Sequence, residues 1–265
     1  MDSHHTTDSS KHSADTTLHE RIAELEAQLR EAYDQINHVE EEYQQFAYIV
    51  SHDLSAPLRQ AEGFARIINQ KYRGTFDEKS QKHMEMILTS TAKGQRQLDA
   101  LLRYSRLNTR MNPFAKTELQ HAFDGAINRL SHVIETTHAE INCGTLPSIN
   151  ADVEQMQILF MHVLDNALKF SRKHITPVVN ITTTTDDSYH IISFSDNGIG
   201  INKKHHEKAF KIFRRVVEDD AHFDGMGMGL ALVRKIAHHH KGTIRIHGNE
   251  MGGTTIELTV PVLKN

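Results

Sequence analysis

The stretch FAYIVSHDLSAPLR, residues 46–59, sets His52 and Asp53 side by side in an apolar helical run and still carries Pro57. Upstream of it, apolar or bulky residues recur at Leu18, Ile22, Leu25, Leu29, Ala32, Ile36, Val39, Tyr43, Phe46 and Val50, in steps that alternate four and three. That spacing is an a/d heptad, and its period near 3.5 predicts a left-handed coiled coil rather than a lone amphipathic helix. The intervening positions, among them Glu20, Arg21, Glu24, Glu26, Arg30, Glu31, Glu40, Glu41 and Glu42, are charged and leave a narrow apolar seam suited to a second helix. A homodimer is therefore expected. Phe46 and Val50 keep the register and put His52 off the core line, where an accessible neutral imidazole would suit a nucleophile. Pro57 removes a backbone hydrogen bond, at a cost of ~3 kcal/mol in a helix interior, and predicts a bend just beyond the histidine.

Composition bounds the alternatives. The 265 residues suffice for one large domain or two ordinary ones, and 38% hydrophobic with 24% charged residues reads as soluble and globular. A formal net charge of −4 gives no reason to expect a nucleic-acid partner. Cys143 is the single cysteine, so no intrachain disulfide forms and a reducing, cytoplasmic setting is expected. No apolar run approaches the ~20 residues of a membrane span. Residues 1–17, rich in Ser, Thr, Asp and His without periodicity, are expected to be disordered.

A second helical pattern covers Asp77 to about Asn108, with Met84, Ile87, Thr91, Leu98, Leu101 and Leu102 on one stripe, and YRGTF with its breaker Gly74 separates the two helices. Two such hairpins from two chains would bury their stripes as a four-helix bundle continuous with the coiled coil. Pro113 marks a boundary, beyond which the texture is mixed α/β. Strands are predicted at VVNITTTT, HIISFS, TIRIHG and TTIELTVPV, and helices at TELQHAFDGAINRLSHVI, VEQMQILFMHVLDNALKFS and GLALVRKIAHHH. The expected architecture is an antiparallel or mixed sheet with helices on one face.

Three pieces of this second half carry chemistry. In DNGIGI, residues 196–201, a strand ends in Asp196, and Gly198 and Gly200 form a turn that admits a ligand close to the backbone. In GMGMGLAL, residues 225–232, three alternate glycines open a helix whose N–H groups and dipole face an anion, phosphate above all. In FMHVLDNALKF, residues 160–170, Asn166 and Lys169 lie three apart, an oxygen ligand suited to Mg²⁺ and a cation suited to phosphate. Any of these alone is more often an ordinary loop or a solvated helix face. The run His238-His239-His240 reads as separate rings turned into solvent at a helix C-terminus rather than as a metal site.

In their order and spacing these motifs resemble the bacterial sensor histidine kinases, from about Phe46 to Pro261. SHDLSAPLR is similar to the phospho-acceptor box, VLDNALKFS to the asparagine box, DNGIGI and GMGMGLALV to the two glycine boxes, AFKIFRRV to the phenylalanine box and GGTTIELTVP to the terminal strand motif. The resemblance implies a coiled-coil signalling helix at 18–45, a dimerization and histidine phosphotransfer hairpin at 46–112, and at 113–265 an α/β sandwich ATP-binding domain of the kind shared with Hsp90, gyrase and MutL. It implies that His52 accepts the γ-phosphoryl group of ATP and that Asp53 takes the imidazole proton. Asp196 would bond the adenine amino group, Asn166 would ligate Mg²⁺ and Lys169 and Arg215 would meet phosphate. Gly225, Gly227 and Gly229 would border a lid anchored by Phe210 and Phe213, with Thr254 near adenine. A response regulator receiver domain would take the phosphoryl group from His52, and an upstream sensor domain or partner outside this chain would supply the input.

The departures from the pattern are His162 in place of the first asparagine of the asparagine box and Ala56 where many members carry Thr or Asn, which puts phosphatase activity in doubt. Lys241 also stands in place of a glycine. Two rival readings follow: an ATP-binding dimeric pseudokinase or scaffold, and an ATPase clamp of the Hsp90 or MutL type. The His-Asp pair on a dimeric helix argues against the clamp.

Overall fold

The computed structural model describes residues 6–107, 112–216 and 226–263. Two long helices open the chain, α1 (Thr6–Tyr72) and α2 (Glu78–Arg106), joined by a 3-10 turn at Arg73–Thr75. Asp77 caps α2, its carboxylate accepting the Ser80 N–H at 2.7 Å. The helices close on each other where Gly94 faces Leu58, since a Cβ on Gly94 would already touch Leu58 Cδ1 at 3.4 Å. Ala47, Ser51 and Ser55 are the buried positions of this part of α1, and Ser55 donates back to the Ser51 carbonyl at 2.7 Å.

One expectation changes here. Residues 6–17 are not disordered but continue α1, while residues 1–5 lie outside the described residues. Extending a nucleated helix fixes one residue per hydrogen bond, so a polar segment can follow an established helix without an apolar face of its own. The helix continues across Pro57, on the near side of which the bend was expected, without a break. Pro57 and Asp53, whose carbonyl loses its partner, are both exposed, so water can take the missing donor's place.

Within a single chain the heptad seam is uncovered: Ile22, Leu25, Leu29, Ile36, Val39, Tyr43 and Phe46 are 46–64% exposed.

The α/β half begins with β1 (Ala115–Glu118), α3 (Leu119–Thr137), β2 (Glu140–Cys143), β3 (Ser148–Ala151) and α4 (Val153–Lys169). It continues through β4 (Val178–Thr185), β5 (Tyr189–Asp196), the short α5 (His206–Ala209), α6 (Gly229–His239), β6 (Thr243–Gly248) and β7 (Thr254–Pro261). The main sheet has the order β2-β4-β5-β7-β6, with β2 parallel to β4 and every other pair antiparallel, and β1 and β3 form a separate antiparallel pair. In β7, Thr254, Ile256, Leu258 and Val260 are buried and their neighbours half-buried, the two-residue alternation of a sheet covered on one side. Val179, Ile181, Ile192, Phe194, Ile244 and Ile246 complete that face against α3, α4 and α6. Phe160 of α4 sits at its centre, edge-on to Phe194 at 5.3 Å and to Phe123 at 6.2 Å between ring centroids.

Asp152 ties three segments together. Its Oδ1 caps α4 by accepting the N–H groups of Glu154 at 3.0 Å and Gln155 at 3.2 Å, and its Oδ2 accepts the Asn112 N–H at 2.9 Å. The Asp152 N–H donates to His240 Nε2 at 3.1 Å, and His240 Nδ1 donates to the Ile236 carbonyl at 2.8 Å, which requires a neutral ring. Phe114 stacks on His240 with centroids 4.6 Å apart, and His239 Nδ1 meets Gln155 Oε1 at 2.9 Å. The histidine run is thus not directed into solvent: only His238 is exposed, and the long-range partners of the other two come from α4 and the connection after α2.

Burial, with His239 adding to it against an opposing pull from Asp152, depresses the His240 pKa below the ordinary 6.5. A depressed histidine contributes its stability fully above the unfolded value, and the unfolded chain takes up the proton first as pH falls through 6.5 toward the lower folded value. The urea midpoint should therefore drop between about pH 7.5 and about pH 5.5, and His240→Gln should flatten that dependence. An equal slope in both proteins would remove His240 from the account.

Helix α6 ends in a Schellman motif: Lys241 N–H donates to the His238 carbonyl at 2.9 Å and Gly242 N–H to the Ala237 carbonyl at 2.8 Å, with Lys241 left-handed at φ 56°. A side chain pays a steric penalty there that glycine avoids. Lys241→Gly should raise stability by about 0.5–1 kcal/mol, read as a higher urea midpoint with an unchanged slope.

Candidate nucleotide site

A cavity of about 330 Å³ opens between α4, the DNGIGI turn, the N-terminus of α6 and the start of β7. Asn166, Lys169, Asp196, Gly200, Arg215, Gly227, Gly229 and Thr254 all line it, so eight positions singled out from sequence converge although they are spread from Asn166 to Thr254. Phe194, Ile201, Met226, Met228, Leu230 and Ile256 supply an apolar wall.

Asp196 is fixed at one side of this cavity. Its Oδ1 accepts the Gly198 N–H at 2.8 Å and the Thr254 N–H at 3.1 Å, which leaves Oδ2 for a ligand. Burial raises its pKa above the ordinary 3.8, opposed by those two bonds and by the Arg172 guanidinium. Gly198 does not itself line the cavity; it allows the turn, because a Cβ there would lie 2.5 Å from the Phe170 carbonyl oxygen. Asn249, which the sequence reading passed over, closes the other side of the turn by donating to the Asp196 carbonyl at 2.8 Å and accepting the Gly253 N–H at 2.9 Å. No local pattern marks Asn249, since the Asp196 carbonyl that gives it its place in the site lies 53 residues away.

On α4, Asn166 and His162 are one turn apart and both approach Gly229: a Cβ on that glycine would sit 3.4 Å from His162 Nδ1 and 3.7 Å from Asn166 Nδ2. The Asn166 amide nitrogen is buried without a hydrogen-bond partner, a donor that the protein itself leaves unused. Burial chiefly, and the charge of Arg103 in addition, push the His162 pKa down against the pull of Asp165, keeping the imidazole neutral. The first intrahelical bond of α6 runs from Leu232 N–H to the Met228 carbonyl at 3.0 Å, and no side chain caps the helix, so the N–H groups of Gly229, Leu230 and Ala231 lie ahead of that bond, open to an anion.

The remaining sequence candidates lie elsewhere. Phe210 is buried at 6% exposure beneath Arg234, whose guanidinium is 4.9 Å from the ring centroid, whereas Phe213 is 37% exposed with φ 58° and so does not anchor into the core. Gly225 lies outside the described residues. His52 and Asp53 stand on the helical hairpin, with His52 Nδ1 3.1 Å from Asp53 Oδ1 and the imidazole stacked on Tyr48 at 6.2 Å and 25°. The His52 side chain is 73% exposed. Among the described residues no group of three or more His, Cys, Asp or Glu could hold a metal ion, and no helix is long and apolar enough to cross a membrane.

Residues 151–264 match the family described as histidine kinase-, DNA gyrase B- and HSP90-like ATPase. The phytochrome-like protein Cph1 of Synechocystis sp. is 31% identical over 242 residues, 91% of this chain and 32% of that relative. The chain thus spans about a third of the length of the curated relatives it matches. Among solved structures, full-length ShkA in complex with AMPPNP superposes with a TM-score of 0.58 at 20% identity over 83% of this chain and 46% of that one. The histidine kinase AdeS of Acinetobacter baumannii gives 0.53 at 18% over 80% of this chain and 98% of that one. Both likenesses concern the fold.

Proposed function

The chain carries the catalytic core of a sensor histidine kinase, its residues 151–264 belonging to the histidine kinase-, gyrase B- and HSP90-like ATPases, and from that premise we propose that it phosphorylates itself on His52 and passes the group to an aspartate of a response regulator. The observation that supports this most is the pairing of His52 Nδ1 with Asp53 Oδ1 at 3.1 Å on an exposed helix face. Asp53 accepts the Nδ1 proton, which fixes the tautomer and leaves Nε2 with its lone pair directed away from the carboxylate.

In the proposed reaction Nε2 bonds to the γ-phosphorus as the bond from that phosphorus to the bridging oxygen breaks and ADP departs. The positive charge that develops on the ring is held by Asp53, which can take the Nδ1 proton. Asp196 Oδ2 would accept from the adenine amino group, while the open N–H groups of α6 and the cations Lys169 and Arg215 would hold the phosphates. Mg²⁺ fits the site, because Asn166 lines the cavity beside the anion-facing helix end and carries an amide oxygen; that oxygen would hold it together with phosphate and water oxygens. Bound there, Mg²⁺ would neutralise phosphate charge as the phosphoryl group leaves.

The uncovered seam of α1 supports a homodimer through the coiled coil and a four-helix bundle, and the need for ATP supports a cytoplasmic setting. The domain limits proposed are 18–45, 46–112 and 113–265. The test is incubation with Mg²⁺ and γ-labelled ATP: acid-labile, alkali-stable label on the wild-type chain that is transferable to a receiver domain supports the proposal. Nucleotide binding without label sinks it and leaves the dimeric scaffold.

A further inference from the structure

The nucleotide cavity is not enclosed by the α/β half alone. Ala100 and Arg103 of α2 form part of its wall, together with His162, Asn166 and Gly229. A small apolar cluster holds the helix there: Ala100 packs with Met228 and Leu232, flanked by Tyr104, Ile212 and Met226. Lys235 Nζ lies 4.6 Å from the centre of the Tyr104 ring, and Gln155 Nε2 donates to the Leu107 carbonyl at 3.1 Å. These contacts fix the last turns of α2 against α4 and α6, so Arg103 is a built part of the wall.

We propose that Arg103 of the helical hairpin is a binding residue for the phosphate tail of the nucleotide, completing from α2 the anion site that α4 and α6 begin. This rests on the reading of the cavity as a nucleotide site. Arg103 forms no ion pair among the described residues, although Asp165 lines the same cavity. Ala100, one turn before Arg103 on α2, packs with Met228 and Leu232 on either side of Gly229, and the Arg103 charge acts on His162, so Arg103 belongs to the Asn166 and Gly229 end of the cavity. A guanidinium there, with donors in a planar fork, matches phosphate oxygens that the backbone N–H groups of α6 cannot all satisfy. The ATP site would then bind its phosphates fully only with the hairpin docked, and a nucleoside lacking phosphates would be indifferent to Arg103.

The test is equilibrium binding of ATP, ADP and adenosine to the full chain carrying His52→Gln to prevent turnover, alone and combined with Arg103→Gln, Arg103→Lys or Asp196→Asn. The expected result is about a tenfold loss of ATP affinity in Arg103→Gln, a smaller loss for ADP, none for adenosine, and partial recovery in Arg103→Lys. Unchanged ATP affinity in Arg103→Gln beside a clear loss in Asp196→Asn overturns the inference and keeps the nucleotide site. Equal losses for ATP and adenosine overturn it too, by assigning Arg103 to packing. No nucleotide binding by the Arg103-intact chain overturns both readings.

Discussion

His52→Gln should reduce phosphoryl incorporation to background, a loss on the order of a thousandfold or more, the scale on which removal of a nucleophile acts. Glutamine has roughly the reach of the imidazole but no basic lone pair, and the residue is exposed, its ring paired with Asp53 and stacked on Tyr48. The fold should be untouched for the same reason, because nothing in the core depends on the ring. Nucleotide affinity should be preserved, since His52 does not line the cavity. That pairing of lost chemistry with kept binding separates a kinase from a scaffold. Label retained in His52→Gln would mean that the nucleophile is another residue, and the assignment of the Asp53 proton relay would fall with it.

Asp196→Asn should cost the second-largest effect, on ATP binding rather than on chemistry. The asparagine oxygen can take over the two backbone N–H groups of Gly198 and Thr254, so the turn survives, and a neutral group relieves the burial that raises the aspartate pKa. What changes is the atom in the position of Oδ2, an acceptor in aspartate and an N–H donor in asparagine. Against the adenine amino group two donors then face each other in a buried site, and a loss of about a hundredfold or more is expected. A nucleotide with a 6-oxo group should regain affinity in the variant, because the new donor meets an acceptor. The raised pKa has a further consequence: protonation of Asp196, and with it loss of ATP binding, should begin at a higher pH than an ordinary aspartate would give. Equal ATP affinity in both proteins would remove Asp196 from adenine recognition.

The departures from the family pattern acquire physical content in the structure. His162, in the position of an asparagine, is half-buried and neutral beside Asn166 instead of being excluded from the site. Lys241, in the position of a glycine, occupies a left-handed residue at the end of α6 far from the cavity, so its effect falls on stability.

Much was legible from the chain alone because the signals were periodic or local. Strands β4 and β6 begin and end where VVNITTTT and TIRIHG predict, since β-branched residues alternating with buried ones report a half-covered sheet. The DNGIGI and GMGMGLAL glycines identified close backbone approaches, because only a residue without Cβ tolerates the contacts found at Gly198 and Gly227. The four-residue strands β1, β2 and β3 were not legible: each is too short for a period to emerge, and β1 exists by pairing with β3 across 30 residues or more of chain. Nor did the sequence announce the Asp152–His240 hydrogen bond, Asn249 behind Asp196, or Arg103 in the wall of the cavity. By itself the sequence determined which face of each element is apolar, where the backbone must turn tightly, and which side chains are chemically able to hold a nucleotide or accept a phosphoryl group. Only the tertiary structure decided which faces meet, because a periodicity records that a surface must be buried while loop closure and packing between distant segments choose the surface that buries it.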